Sequence, residues 1–473
     1  MPINPVSVVV LAAGEGKRMR SNTPKVLHPV AGRSMLTRVL DTANALSPQA
    51  IYGVYGHAGD TVRSACADYT VSWVHQAEQL GTGHAVAQAL SAIPDDHQVL
   101  VLCGDVPLIR ATTLQALMAQ ADGAVGVLTV ELETPTGYGR ILRDADGTVI
   151  GVVEEKDASP AQRQITEVNA GLMCLPAGHL REWLSELDTG NAQGEYYLTD
   201  CISQAHAQGV PVHTYACPDP WEVQGVNDRA QLAAVERACQ RRQAHALMRD
   251  QGLALADPDR FDLRGSLQVG RDCFIDVDVI IEGDVVLGDN VQIGAFTQIR
   301  DTHIAAGTRL LGHCQIEDTH IGEDCQVGPF ARLRPGTSLA KDARVGNFVE
   351  VKQTQVGPGS KINHLAYVGD ATLGAGVNVG AGTITCNYDG KRKHHTAIGD
   401  HVFIGSNSAL VAPLEIGNGV TIGAGTTVRD NIAADCLAVD DRRPRQVDGW
   451  RRPGESVVDR HDSDDDSTAK GVR

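Results

Sequence analysis

The chain has 473 residues, of which 42% are hydrophobic but only 4% aromatic, with 50 glycines, and its 58 acidic and 41 basic side chains leave a net charge of −17. The length points to two or three domains, the acid excess speaks against a nucleic-acid binder, and without an apolar run of about 18 residues no membrane-spanning helix is expected. Eleven cysteines with no CxxC pair argue against structural zinc and for reduced cytoplasmic thiols, and the opening MPINPVSVVV lacks the regions of a secretory signal.

The first element is the β-branched run Val6–Leu11, followed by the glycine turn AAGEGKRMRSNTPK. A Rossmann fingerprint needs a third glycine where Met19 stands. A P-loop needs four residues between its glycines, where a single one separates Gly14 from Gly16. The means of holding phosphate are present all the same. Gly14 and Gly16 let backbone N–H groups come close to an anion. Lys17, Arg18 and Lys25 bring positive charge, and Pro24 stiffens the chain before Lys25.

Further strands are expected at Ile51–Tyr55, Val71–His75, Val99–Cys103, Val125–Glu131, Val168–Leu175 and Val210–Tyr215. Amphipathic stretches such as Met35–Leu46, Ala85–Leu90 and Leu114–Ala119 lie between them. This alternation predicts an α/β Rossmann-like domain over 1–228, a mainly parallel sheet with helices on both faces. Ligands sit at the carboxyl ends of such strands. Asp105, in GDVP just after Cys103, falls at one of these ends. It reads either as a turn carboxylate or as a ligand for Mg²⁺.

Residues 229–250 contain neither Gly nor Pro, and Leu232, Val235, Cys239 and Leu247–Met248 keep roughly helical spacing. Asp228 is placed to cap the start. One long helix is predicted, either a linker over 229–251 or a helix of the first domain's own fold.

From Val269 the pattern changes. Aliphatic residues recur at six-residue steps through Ile275, Ile281, Leu287, Ile293 and Ile299, and continue from Ile304 to Val379 and from Ile398 to Val428. A helix needs a period of 3.6 and an ordinary strand a period of two. A period of six fits a parallel β-helix over 252–450, with one short strand per flat face and three faces per coil. Four steps are five residues long, at Ile299–Ile304, Ile316–Ile321, Val351–Val356 and Val368–Leu373, so one corner is tightened in successive coils. The period breaks only at TCNYDGKRKHH, 385–395, and a loop ejected from a rigid solenoid is expected to be functional. The acidic stretch DRHDSDDDST lies in a tail, 451–473, expected to be disordered.

Acyl transfer needs a base for the attacking amine and donors for the oxyanion. The solenoid offers His364, whose imidazole can accept a proton, together with Lys352, Tyr367, Asn387, Tyr388 and backbone N–H groups near Ala381. Positions 17 or 18 apart become neighbours on successive coils. Arg334 and Lys352 differ by 18, and form either a phosphate clamp or two solvated charges.

The segments LAAGEGKRM…PKVL, QAEQLGTGHA, GDVPLI, PTGYGRI, EVNAG and GEYYLTD resemble the sugar-nucleotidyltransferase family. With the β-helix, residues 6–450 resemble its bifunctional members, which join an N-acetylglucosamine-1-phosphate uridyltransferase to a glucosamine-1-phosphate N-acetyltransferase. The resemblance implies a left-handed β-helix, a cytoplasmic homotrimer with acetyl sites between subunits, and a product that feeds cell-wall and lipopolysaccharide precursors. It implies UTP and acetyl-CoA as co-substrates and Mg²⁺ held by Asp105 and Asn227. Arg18 and Lys25 are implied to stabilise the triphosphate. Leu11, Ala12, Ala13 and Gly14 are implied to line the nucleotide site, with Gln76, Gly81 and Thr82 at uracil and ribose, and Gly139, Glu154 and Asn169 at the amino sugar.

In the solenoid it implies His364 as the base, Arg334, Lys352, Tyr367 and Asn378 at the sugar phosphate, and Ala381, Asn387, Tyr388, Ser406 and Ala424 at glucosamine or acetyl-CoA. One departure stands out. Where the family has a basic residue for coenzyme A phosphates this chain has Asp441, with Arg442 or Arg443 as the alternative after a one-residue slip. A nucleotidyltransferase for another sugar, with the β-helix a mere assembly module, would need neither His364 nor the CNYDG loop. A scaffold without catalysis would need neither Asp105 nor the basic loop.

Overall fold

The computed structural model describes residues 5–56, 58–440, 445–450 and 452–453. The strand Val6–Ala12 lies in the middle of the N-terminal sheet, which explains why all of it but Ser7 is apolar: both of its faces are covered. Val8 and Val10 point to one side, where they meet Leu36 and Leu40. Val9 points to the other, toward Val86, Ala89 and Trp183.

Across the sheet the order is Val212–Ala216, Val125–Glu131, Glu167–Pro176, Gln98–Cys103, Val6–Ala12, Ala50–Tyr55 and Ser72–His75. Glu167–Pro176 runs antiparallel to both of its neighbours, and the other pairings along this order are parallel. Helices Met35–Ala45, Thr82–Leu90 and Ala111–Gln120 lie where amphipathic stretches were read. Gly59–Ala65, Ala177–Ser185 and Asp200–Ala207 are helices that the reading did not anticipate. The carboxyl ends of Val6–Ala12 and Gln98–Cys103 open onto one cleft.

The helix Arg229–Asp250 starts at Asp228, whose Oδ1 accepts the Gln231 N–H at 2.9 Å. Val235 and Cys239 pack with Met19, Val30, Met35 and Leu108 of the first unit, while Ala244 and Leu247 enter the solenoid core. Two details depart from the apolar spacing read above. Met248 is exposed. Gln240, about two turns nearer the N-terminus, is fully buried, and its amide caps the first coil by accepting from Leu263 N–H (2.7 Å) and donating to Leu263 O (3.1 Å). A buried amide is tolerated here because both of its ends are satisfied.

The C-terminal half is a parallel β-helix of hexapeptide repeats, of the left-handed type. Each coil supplies three short strands, for example Gln292–Ile293, Gln298–Arg300 and His303–Ile304, and the next coil lies on it in parallel register: Ile293 on Leu310, Ile299 on Ile316, Ile304 on Ile321. The periodic aliphatics from Ile275 to Val428 are buried and form one continuous core; Val269, the first, is only partly covered. The solenoid itself begins earlier, with Ala254–Leu255 and Phe261–Val269.

The five-residue steps all fall at the corner between the second and third faces. Asp301, Asp318, Gln353 and Asp370 turn the chain there with φ between 43° and 52°, whereas Gly283 and Gly336 make the six-residue versions. Left-handed backbone is a cost for a side-chain-bearing residue, least so for Asp and Asn.

The break at 385–395 is an extended loop at this same corner. The inward position is kept by Thr385, 1% exposed, whose Oγ1 accepts from Gly369 N–H (2.8 Å) and donates to Gly369 O (3.1 Å). The chain returns at Thr396–Ile398.

Candidate functional site: two constellations on one chain

At the carboxyl edge of the N-terminal sheet, Leu11, Ala12, Ala13, Gly14, Lys25, Gln76, Gly81, Thr82 and Asp105 line one cavity. A second is lined by Gly139, Glu154, Asn169 and Thr199, and shares Leu11, Thr82 and Cys103 with the first. The residues read as nucleotide contacts and those read as amino-sugar contacts therefore face one continuous cleft.

Loop geometry places the charges. Gly16 has φ +64°, and a Cβ on it would stand 2.6 Å from Lys25 Cβ, so glycine there lets the loop close on the Lys25 turn. Gly14 is different. No atom lies within 4 Å of its missing Cβ. The fold leaves that space open, which is what close approach of a ligand to the backbone requires.

Lys25 Nζ lies 2.5 Å from Asp105 Oδ2 and 3.4 Å from Asn227 Oδ1. Two oxygens from distant parts of the chain thus converge on one positive charge. The ammonium stands where a hard divalent cation would be held, and one carboxylate with one amide oxygen is a donor set that suits Mg²⁺, which keeps several waters. Among the described residues no cluster of three His, Cys, Asp or Glu could hold a metal.

Arg18 stands on the short turn Lys17–Met19, exposed and outside both cavity linings. The structure does not bring it together with Lys25. Cys103, which the sequence reading passed over, is a wall common to both cavities. Burial, with Asp105 adding to it, pushes its thiol up to about 12, so it is an inert neutral surface at neutral pH. Burial also raises Glu154 above the ordinary glutamate range, Asp200, Asp157 and Glu195 adding to it and the Thr199 hydroxyl bond (3.0 Å) opposing it.

The solenoid arranges its candidates in columns. Ile362, Val379, Ile404 and Ile422 are successive register partners on one face. Two residues beyond each stand His364, Ala381, Ser406 and Ala424, so these four form one column along a corner. Asp441, Arg442 and Arg443, read above against the coenzyme A phosphates, lie outside the described residues. His364 is exposed, and its Nδ1 is 2.8 Å from Asn347 Oδ1. An amide oxygen can only accept, so Nδ1 carries the proton and Nε2 is left basic.

Arg334 and Lys352 follow the register partners Leu333 and Val351 and sit on adjacent coils. The corner they occupy bounds the same face as the His364 column, on its other side. Glu350 and Tyr367, also register partners, lie on the strands between. The base candidate and the clamp candidates thus flank one flat face rather than touching.

Charge along the clamp corner is informative. Arg264 pairs with Glu282 (3.1 Å), Glu282 with Arg300 (3.5 Å) and Arg300 with Glu317 (2.9 Å), each one coil further on. The alternation then stops, because Arg334 is followed by Lys352. Lys393 joins them from the ejected loop, 3.7 Å from Asp370. The Lys393 ammonium, with Arg334 adding to it, holds Lys352 below the usual lysine range. Three cations meet two carboxylates, Asp370 and Glu350, the latter 2.8 Å from Arg334. That imbalance suits a bound anion.

The loop is an organised hairpin. Asp389 accepts from Lys391 and Arg392 N–H (both 2.7 Å) and bonds His394 Nε2 (2.7 Å), which together hold its carboxyl well below the usual range. Asn387, buried, donates to Asp370 and to the Tyr367 hydroxyl. Tyr388 remains exposed, its hydroxyl on Gly390 O (2.8 Å), and Asn378 is half-buried on the face that leads to His364.

Known families match both halves. A MobA-like NTP transferase domain matches residues 8–195, a GMPPB C-terminal domain residues 263–368, and the bacterial transferase hexapeptide (six repeats) residues 395–430. The bifunctional protein GlmU of Alkalilimnicola ehrlichii is 59% identical over 450 residues, 95% of this chain and 97% of that protein. GlmU of Marinobacter nauticus is 54% identical over 95% of this chain and 99% of its own length, and that of Xylella fastidiosa 52% identical over 96% and 99%. With such identity across nearly the whole of both chains, the chain belongs to the GlmU family of bifunctional transferases.

Proposed function

We propose that the chain makes UDP-N-acetylglucosamine in two steps. Its solenoid, 252–450, moves the acetyl group of acetyl-CoA to glucosamine 1-phosphate, and its α/β unit, 1–228, joins the product to UTP. The helix over 229–251 is the joint. The observation that carries this is the pairing, on one chain, of the Lys25–Asp105–Asn227 convergence with the His364 column and its neighbouring cation cluster.

In the acetyl step, Nε2 of His364 takes a proton as the glucosamine amine attacks the thioester carbonyl. The C–N bond forms, the C–S bond breaks, and coenzyme A leaves as its thiol. Arg334, Lys352 and Lys393 hold the sugar phosphate, with Tyr367 and Asn378 along the sugar. Asn387, Tyr388, Ala381, Ser406 and Ala424 receive acetyl-CoA. In the uridylyl step, a phosphate oxygen of N-acetylglucosamine 1-phosphate attacks the α-phosphorus of UTP in line and pyrophosphate leaves. Lys25 and the exposed Arg18 neutralise the triphosphate. Gly139, Glu154 and Asn169 hold the amino sugar. Asp105 and Asn227 would hold Mg²⁺, which supplies charge neutralisation to the phosphates when bound.

The homotrimer reading is supported by an apolar ridge on the solenoid. Phe296, His313, Phe330 and Phe348 stack ring on ring along the corner that carries His364, with centroids 4.7 to 5.3 Å apart. The row ends at Leu365, 62% exposed and next to His364. So long an exposed apolar ridge suits self-association, and a second copy covering it would enclose the open acetyl site. The eleven unpaired cysteines support a cytoplasmic setting.

A coupled assay tests the whole reading. Glucosamine 1-phosphate, acetyl-CoA, UTP and Mg²⁺ together should yield UDP-N-acetylglucosamine, coenzyme A and pyrophosphate, and leaving out acetyl-CoA should stop the nucleotide sugar. Pyrophosphate release that prefers glucose 1-phosphate, with no acetyl transfer, would overturn it.

A further inference from the structure

Gln76 is the most deeply buried polar side chain of the nucleotide cavity, 2% exposed. Its carboxamide is held by two partners. Nε2 lies 3.3 Å from the Gly81 carbonyl oxygen and 3.0 Å from His84 Nδ1. A carbonyl oxygen only accepts, so the atom facing Gly81 is the amide nitrogen. Its second hydrogen then goes to His84, whose Nδ1 must accept, which places the imidazole proton on Nε2. Both amide hydrogens are used, and Oε1 accepts no hydrogen bond among the described residues.

The Gly81 contact alone is a weak lock. It is long, and the same carbonyl already accepts the Ala85 N–H at 3.1 Å. His84, on the first turn of the helix Thr82–Leu90, makes the shorter bond. The Gly81 N–H, meanwhile, donates to nothing among the described residues. The cavity is therefore offered an acceptor, Gln76 Oε1, and a donor, Gly81 N–H. Uracil presents a donor at N3 beside an acceptor at O4, which matches. Cytosine presents the reverse, an acceptor at N3 beside a donor amine, which does not. A carboxamide free to rotate by half a turn would present N–H instead and suit cytosine.

Resting on the uridylyl-transfer reading above, we propose that His84 is a positioning residue for nucleobase selection: it fixes the Gln76 carboxamide so that only its oxygen faces the base, and so favours UTP over CTP. The test uses the full chain with N-acetylglucosamine 1-phosphate and Mg²⁺, measuring pyrophosphate release from UTP and from CTP as kcat/KM. His84→Phe keeps ring volume but removes the acceptor, and the UTP-over-CTP preference should fall by roughly tenfold, mainly through the KM for UTP. His84→Asn restores an acceptor oxygen and should regain most of the preference. Acetyl transfer by the same preparations should stay unchanged and reports an intact chain. If turnover is lost with both nucleotides, dissociation constants for UTP and CTP by calorimetry give the same ratio. An unchanged ratio in His84→Phe, or no recovery in His84→Asn, overturns the assignment. A wild-type chain that turns over neither nucleotide would instead remove the uridylyl-transfer reading.

Discussion

The two halves of this chain build a site in opposite ways. In the α/β unit, Lys25, Asp105 and Asn227 are far apart in sequence and meet because three separate loops end at one sheet edge. In the solenoid, His364, Ala381, Ser406 and Ala424 share a corner because the chain repeats, and spacing alone puts them there. The first design lets each residue be chosen freely but depends on the whole sheet. The second is a lattice, in which a function is written by changing single positions of a column. Neither site draws a residue from the other half, so they should fail independently.

The largest effects test that independence. Asp105→Ala should lower uridylyl transfer by about a thousandfold while leaving acetyl transfer alone, and chelation of divalent cations should have the same one-sided effect. His364→Ala should lower acetyl transfer by ~10²–10⁴-fold and spare uridylyl transfer. Steady-state rates of both reactions in each variant decide it. Parallel loss of both activities in a folded protein would dissolve the contrast between the halves.

Stability should divide along the same line. Leu100, 0% exposed, and Ile316, 1% exposed, are equivalent core positions of the two halves, and truncating either to Ala should cost about 2–5 kcal/mol. Coils contact only their neighbours, so damage at Ile316 stays in the solenoid. Heating should then remove acetyl transfer first in Ile316→Ala and uridylyl transfer first in Leu100→Ala. A single shared inactivation temperature in both would show that the helix Arg229–Asp250 couples the halves into one unfolding unit.

A smaller effect probes the broken charge alternation. Lys352→Ala removes one of three cations facing the proposed phosphate. The KM for glucosamine 1-phosphate should rise roughly tenfold, with kcat little altered and the difference shrinking at high salt. Glu317→Gln, one coil before Arg334 and paired with Arg300, should leave that KM within twofold.

The contrast also explains what could be read in advance. Arg334 and Lys352 could be placed side by side by counting, because a six-residue period converts sequence distance into space. The inward positions from Ile275 to Val428 were legible for the same reason. No count could show that Asp105, Lys25 and Asn227 converge; that came with the family resemblance. Gln240 and His84 escaped notice because each acts through a hydrogen bond to a residue outside its own helix, Leu263 and Gln76, and carries no periodic signal. Lys393 sat within the recognised loop, but its aim at Asp370 depends on the turn made by Asp389. The helices Ala177–Ser185 and Asp200–Ala207 were not among the stretches singled out, and each is held by a buried apolar side, Leu180 and Trp183 in the first and Cys201 and Ile202 in the second.

The smallest predicted effect concerns Glu154 and separates the halves by pH. Burial raises its folded-state pKa, so the folded chain holds a proton there that the unfolded chain gives up. That contribution to stability is complete below the unfolded value, near pH 4, and is lost as pH rises through the raised folded value. At neutral pH the ionised, desolvated carboxylate therefore weakens the fold, offset in part by its bond from Thr199. Glu154→Gln keeps an oxygen to accept that bond and removes the charge. It should raise the temperature at which uridylyl transfer is lost at pH 7, by a few degrees at most, and make no difference when unfolding is followed near pH 4. Acetyl transfer should be lost at an unchanged temperature at both pH values. If Glu154 holds the amino sugar as proposed, the KM for N-acetylglucosamine 1-phosphate should rise in the same variant. A stability gain that persists undiminished at pH 4 would show that the side chain's fit, not its ionisation, sets the effect.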